Sequence, residues 1–161
     1  VLLVQPNLYL KSLNMKKIVL HFVLFTGLIT FSQNTNQLYI ENGYVIDSYD
    51  VVAYFSNKAL VGDKANYSYK YDGVLFAFAN LENLNTFKLA PEKYLPQYGG
   101  HCSYAMAVKG SKVSPDPKVF EIRDGKLHLF HRQKGLDSWI EKRPKTLRAQ
   151  ADANWAKFFK K

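Results

Sequence analysis

Two Asp-Gly dipeptides, Asp72-Gly73 and Asp124-Gly125, constrain this chain more than any other feature. Asp-Gly supplies both positive-φ positions of a type I′ turn, whose twist matches that of two paired antiparallel strands. Each dipeptide is flanked by runs rich in aromatic and β-branched residues, 67–71 and 74–79 around the first and 119–123 and 126–131 around the second. Two hairpins follow. They share a turn rather than a wider repeat.

Helical signals fill the rest. Asn80 is placed to cap a helix over 81–89 that stops ahead of Pro91, with Leu81, Leu84 and Phe87 on one face. Leu147, Ala151, Trp155 and Phe158 step by four, four and three, the pattern of an amphipathic C-terminal helix. Residues 137–142 read as one or two more helical turns, and Ser114-Pro115-Asp116-Pro117 as a loop. Asp50 precedes Val51-Val52-Ala53-Tyr54-Phe55 as an acid precedes a helix, so it is either a cap or a site carboxylate. Residues 44–47 are too short to assign, and the polar stretch 34–42 is expected to fray. The class is α+β: a small antiparallel sheet built from two hairpins, with several short helices and the C-terminal helix.

Composition bears mainly on compartment. Met15-Lys16-Lys17 followed by the apolar residues 18–31 has the form of a secretory signal, too short to span a bilayer. Cleavage is expected after Ser32, and residues 1–14 read as an over-extended start upstream of Met15. That leaves a flexible stretch at 33–43 and one domain over 44–161, exported to the periplasm or the exterior. Of the net charge of +9, the excess on the mature chain lies beyond residue 131: nine bases and three acids follow it, against ten of each in 33–131. This segment reads as a solvated helical face rather than a nucleic-acid or membrane surface, and no membrane span is expected in the mature protein.

The chain's single cysteine sits in Tyr98-Gly99-Gly100-His101-Cys102-Ser103-Tyr104. The paired glycines permit positive φ, and 103–109 followed by Gly110 reads as a short helix with a glycine stop. Cys102 then falls in its first turn, where the helix dipole favours thiolate. With no second cysteine it is a buried hydrophobe, a metal ligand, a redox thiol or an intermolecular link. The double glycine is expected to mark approach to a ligand, with the thiol partly exposed. His101, Cys102, His128 and His131 are the candidate metal ligands, although His128 and His131 point to opposite faces of a strand, so only one of them can join Cys102. The metal set considered is Cys102, His101 and His128, for a transition-metal ion. No Ser-His-Asp set, phosphate-cradling loop or paired catalytic carboxylates are seen, and no catalytic residue is assigned.

Asp50-Val51-Val52-Ala53-Tyr54-Phe55, the segment 76–87, Pro91-Glu92-Lys93-Tyr94 and Tyr98-Gly99-Gly100-His101-Cys102 together resemble the YHS-domain family, and within it the exported branch in which some members use selenocysteine. The resemblance runs from about Tyr44 to Trp155. The wider family is associated with heavy-metal handling through cysteine motifs, whose positions fall here on Ala53, Ala79 and Asn83. None of these can replace a thiolate, so the family's metal site is absent as such. In the exported branch the matching position is Cys102, which implies chalcogen chemistry and, with one cysteine, an external thiol partner. The resemblance thus implies a non-catalytic ligand or metal-ion binding module centred on Cys102, with a thiol-dependent redox protein and an inert interaction domain as alternatives. The ligand or redox candidates are Cys102, His101, Gly99, Gly100, Tyr98 and Asp50.

Overall fold

The computed structural model describes residues 37–142 and 144–159. The start at 1–14 and the signal at 15–32 lie outside them. Ile40–Glu41 (β1) and Tyr44–Val45 (β2) pair antiparallel around Asn42-Gly43. Ser68–Tyr71 (β3) and Val74–Ala77 (β4) form the first hairpin, and Asp116–Arg123 (β5) and Lys126–Phe130 (β6) the second. Both Asp-Gly turns take the left-handed values that their type requires, with φ of 46° and 87° at Asp72-Gly73 and 51° and 68° at Asp124-Gly125. The fold is α+β, and the hairpins lie in separate sheets. The first sheet runs β1-β2-β4-β3, joined by a parallel contact of Tyr44 with Leu75, and the second is β5-β6 alone.

Among the described residues five α-helices complete it: Leu81–Leu89 (α1), Pro91–Tyr94 (α2), Ser103–Lys109 (α3), Gln133–Glu141 (α4) and Pro144–Trp155 (α5). Asn80 caps α1 by accepting from the Asn83 amide at 2.8 Å, as its side chain suggested. Two stretches differ from expectation. The strand β5 begins at Asp116 and contains Pro117, because the pairing with β6 shifts between Asp116 and Phe120 and leaves no ladder bond for the proline to miss. Residues 37–42 are docked rather than frayed: β1 pairs with β2, and the Tyr39 amide donates to the Gly99 carbonyl at 2.7 Å.

Two apolar clusters form the interior. One gathers Tyr54, Phe76, Phe78 and Phe87 against the first sheet, with Leu127 and Leu129 from β6. The other gathers Tyr98, Cys102, Met106, Trp139 and Phe130 beneath the last three helices. Strand β6 belongs to both. Its period-two alternation sends Leu127 and Leu129 one way and Phe130 the other, with His128 stacked 5.3 Å from the Trp139 ring on the Phe130 side. All four are fully buried.

Two left-handed turns meet where the clusters adjoin. Ile46, Asp47 and Ser48 have φ of 49°, 49° and 66°, and Tyr98, Gly99 and Gly100 have 52°, 63° and 85°. A β-branched residue such as Ile46 is strained there, by about 1–2 kcal/mol. Its complete burial offsets that, and a Cβ on Gly100 would lie 3.3 Å from its Cγ1.

Candidate functional site

The turn at 98–100 sets up everything around Cys102. After it, His101 returns to extended geometry, and Cys102 becomes the N-cap of α3 rather than a residue of its first turn. Its sulfur accepts from the Ala105 amide at 3.5 Å, its own amide donates to the Val113 carbonyl at 2.9 Å, and it bridges to Leu129 of β6. Thus three segments hold it. At the other end of the helix, Gly110 takes φ of 61°, and the Asn154 amide of α5 donates to the Met106 and Ala107 carbonyls at 2.9 and 3.1 Å.

The expected partial exposure of Cys102 is corrected: it is 3% exposed. The double glycine also has a different reason from the one expected. A Cβ on Gly99 would stand 2.3 Å from the Gln37 carbonyl oxygen, so the backbone that approaches there is the chain's own, not a ligand's. Tyr98 is structural too. Its hydroxyl donates to Asp152 at 2.9 Å, tying this turn to α5, and burial followed by that carboxylate pushes the phenol far above its ordinary range.

The histidines part company. His101 lies against Tyr39 and Trp155, with its Nδ1 unpartnered, and burial with the Lys112 charge lowers its pKa to about 4. His128 is fully buried between Tyr98 and Trp139, with Nδ1 3.2 Å from the Ser103 hydroxyl and Nε2 unpartnered, and burial lowers it to about 4 as well. The metal set of Cys102, His101 and His128 is therefore not assembled. Among the described residues, no three His, Cys, Asp or Glu side chains gather as a metal-holding group. His101 packs on Tyr39 and Trp155 and His128 on Tyr98 and Trp139, while the Cys102 sulfur takes the Ala105 amide, so the three do not converge on one point.

Asp50 stands in the other cluster. It is fully buried, and its carboxylate accepts from the Val52 and Ala53 amides at 2.8 and 3.2 Å, the Ala79 amide at 2.8 Å and the Asn83 side chain at 2.6 Å. It holds the amides that lead into the turn at Ala53–Ser56 and ties that turn to the end of β4 and to α1. Ala53, Ala79 and Asn83, the three positions of the resembled metal motif, thus surround one carboxylate. They face it with N–H donors, which a cation cannot use, so this group of residues does not fit a metal ion.

What lies open beside Cys102 is a cleft of about 620 Å³ between α3 and α4. Cys102, Ala105, Val108 and Val113 form an apolar base. Around it stand Lys109, Arg132, Lys134 and Lys142, with Tyr104 and His131. The Lys142 ammonium donates to the Tyr104 hydroxyl at 3.2 Å, and His131 Nδ1 donates to the Ser114 carbonyl at 2.8 Å, which leaves Nε2 as the ring nitrogen open to a guest. Sequence reasoning placed Cys102 here but missed the lysines and Arg132. The signal for Arg132, Lys134 and Lys142 was the basic excess after residue 131, which reads equally well as a solvated face until α4 is seen to fold back over α3; Lys109, in the charge-balanced part of the chain, had none.

These features define an α+β domain with a basic, apolar-based cleft beside a buried cysteine. Comparison with protein-family models, curated proteins and solved structures finds no match to this chain. Among the described residues no helix is long and apolar enough to cross a membrane.

Proposed function

We propose that this chain is an exported, YHS-like, non-catalytic ligand-binding domain whose site is the α3–α4 cleft with Cys102 at its base. The cleft itself carries the reading. Its volume lies within the ~300–1,000 Å³ range of small-molecule sites, and its lining joins an apolar base to a few polar groups. The burial of Cys102 favours this over redox exchange, because a partner thiol must reach the sulfur in order to attack it. A transition-metal cofactor is disfavoured by the donors around Asp50 and by the cationic surroundings of Cys102. The convergence of Ala53, Ala79 and Asn83 on one point supports the YHS resemblance, and the basic-then-apolar segment at 15–31 supports export.

The test is a fragment screen read by amide chemical shifts. Binders are expected to move the signals of Tyr104, Val108, Gly135 and Ser138, and Val108→Trp, at a half-exposed position, should fill the cleft and weaken them about tenfold or more. Shifts confined to another face, or binding indifferent to Val108→Trp, would favour an interaction domain with an inert cysteine. Export is checked by N-terminal sequencing of the secreted protein, with Gln33 the expected first residue.

A further inference from the structure

The cleft's lining is electrostatically one-sided. Four of its residues, Lys109, Arg132, Lys134 and Lys142, are cations, and none is an acid. Among the described residues the ion pairs are Arg123 with Glu121 and Arg148 with Asp124, so none of the four cleft cations is held in a direct ion pair. The carboxylate of Asp137, on α4 itself, accepts from the Gln133 side chain and is not part of the lining. Like charges around one concave, apolar-based site raise the local concentration of the opposite charge.

Helix α4 adds to this. Its N-cap is Arg132, whose side chain has no acceptor to offer, and its first turn contains no acid; the Arg132 carbonyl takes the Gly135 amide at 2.9 Å, which leaves the Gln133 and Lys134 amides at the open end. Most helices place an oxygen there for the free amides. Here the first turn presents Lys134 and Gly135 to the cleft. Gly135 also leaves room: a Cβ on it would meet only the Tyr104 Cβ, at 3.9 Å. At the same rim the Tyr104 ring is held by Lys142, and the base beside it is made of Ala105, Val108 and Val113.

Resting on the ligand-binding reading above, we infer that the guest is an organic anion with a flat apolar body, a carboxylate of the aryl or unsaturated type. Its charged end sits at the start of α4 among Arg132 and Lys134, and its body lies along Tyr104 and Val108 over Cys102. A metal cation or an amine is excluded by the same four charges. A bare inorganic anion would leave the apolar base uncovered.

The probes are naphthoate and its neutral amide, naphthamide, which share shape and differ in charge. Amide shifts locate each, and titration calorimetry measures its affinity. Naphthoate should bind in the cleft about tenfold or more tightly than naphthamide. Raising salt from about 0.02 to about 0.3 M should weaken naphthoate severalfold and leave naphthamide unchanged. The double variant Lys109→Glu with Lys134→Glu should abolish the preference while circular dichroism stays the same, and Lys70→Glu, on β3, should leave the preference intact. Equal binding of both probes in the cleft, or a preference that survives the double variant, overturns the inference and leaves the cleft as a ligand site. If neither probe enters while library fragments do, the anion reading alone is lost. If nothing enters, both readings fail.

Discussion

Each of the two apolar clusters encloses a fully buried polar residue, and the two are treated very differently. Asp50 receives four hydrogen bonds from three segments, so both of its oxygens are engaged and it acts as a fastening. His128 has one neighbour for one nitrogen and none for the other. A satisfied buried charge rigidifies its surroundings, whereas an under-satisfied imidazole is a standing cost that some other feature must justify. The sheet-side cluster is thus built for permanence. The helix-side cluster, which also carries the cleft, tolerates polar groups that a purely structural core would have replaced.

The largest break in this contrast should come from Asp50→Ala. It strands the Val52, Ala53 and Ala79 amides and the Asn83 side chain, and hydrogen bonds to a buried charge are worth ~1.5–3 kcal/mol each. A loss of about 4 kcal/mol or more is expected, read as the shift of the urea midpoint. If the variant stays within about 1 kcal/mol of the parent, the fastening role is wrong.

Next is Gly99→Ala, on the helix side. The added methyl meets backbone, at 2.3 Å from Gln37, and φ is positive, so about 2–4 kcal/mol should be lost. Gly125→Ala has the same kind of φ but open space around it, and should lose about 1 kcal/mol. Similar losses at the two sites would mean that the docking of Gln37 contributes nothing.

Acid sharpens the comparison further. His101 and His128 have folded values near 4 against an ordinary 6.5, so as the pH falls the unfolded chain takes up these protons first. Stability should be undiminished above about pH 6.5, fall between there and about pH 4, and stop falling on this account below it. For His128, the fully buried one, the loss approaches about 3 kcal/mol. His128→Leu should flatten the pH dependence by about one proton's worth; at neutral pH it removes the orphaned nitrogen but strips the buried Ser103 hydroxyl of its partner, so a cost of about 1–2 kcal/mol is expected. A slope unchanged in that variant would clear His128 of the effect.

The smallest effect belongs to Cys102→Ser. The sulfur is a weak cap for Ala105, and serine is a better cap but a worse buried group, so the two changes should leave stability within about 1 kcal/mol. In the parent protein, alkylation of the folded state should be far slower than that of the denatured state, since the thiol is 3% exposed. Rapid labelling of the native protein would revive the thiol-dependent reading.

Local chemistry was legible in the sequence wherever one residue type dictates one backbone state. Asp-Gly fixed both hairpin turns, Asn80 fixed the start of α1, and Gly110 fixed the end of α3. What was hidden depends on partners distant in the chain. Ile46-Asp47-Ser48 carries no glycine, yet turns left-handed because burial against Gly100 overrides its propensity. Pro117 sits in a strand because of a pairing shift that only β6 determines. At the site, the sequence singled out Cys102 and its glycines but gave no means of knowing that the glycines face Gln37 and Ile46. Nor could it bring Lys109 and Lys134 together, since they share a cleft only after the second hairpin has reversed the chain.

Because β6 is a wall common to both interiors, neither can open to solvent without exposing it. Leu127 and Leu129 would be bared by loss of one cluster, Phe130 by loss of the other, and the bond network of β5-β6 would loosen in either case. The protein is therefore expected to have no stable half: heated, it should melt in a single step. In deuterated solvent the amides of Leu127 and Leu129 should be among the last to exchange, reporting the opening of the whole molecule rather than of a part.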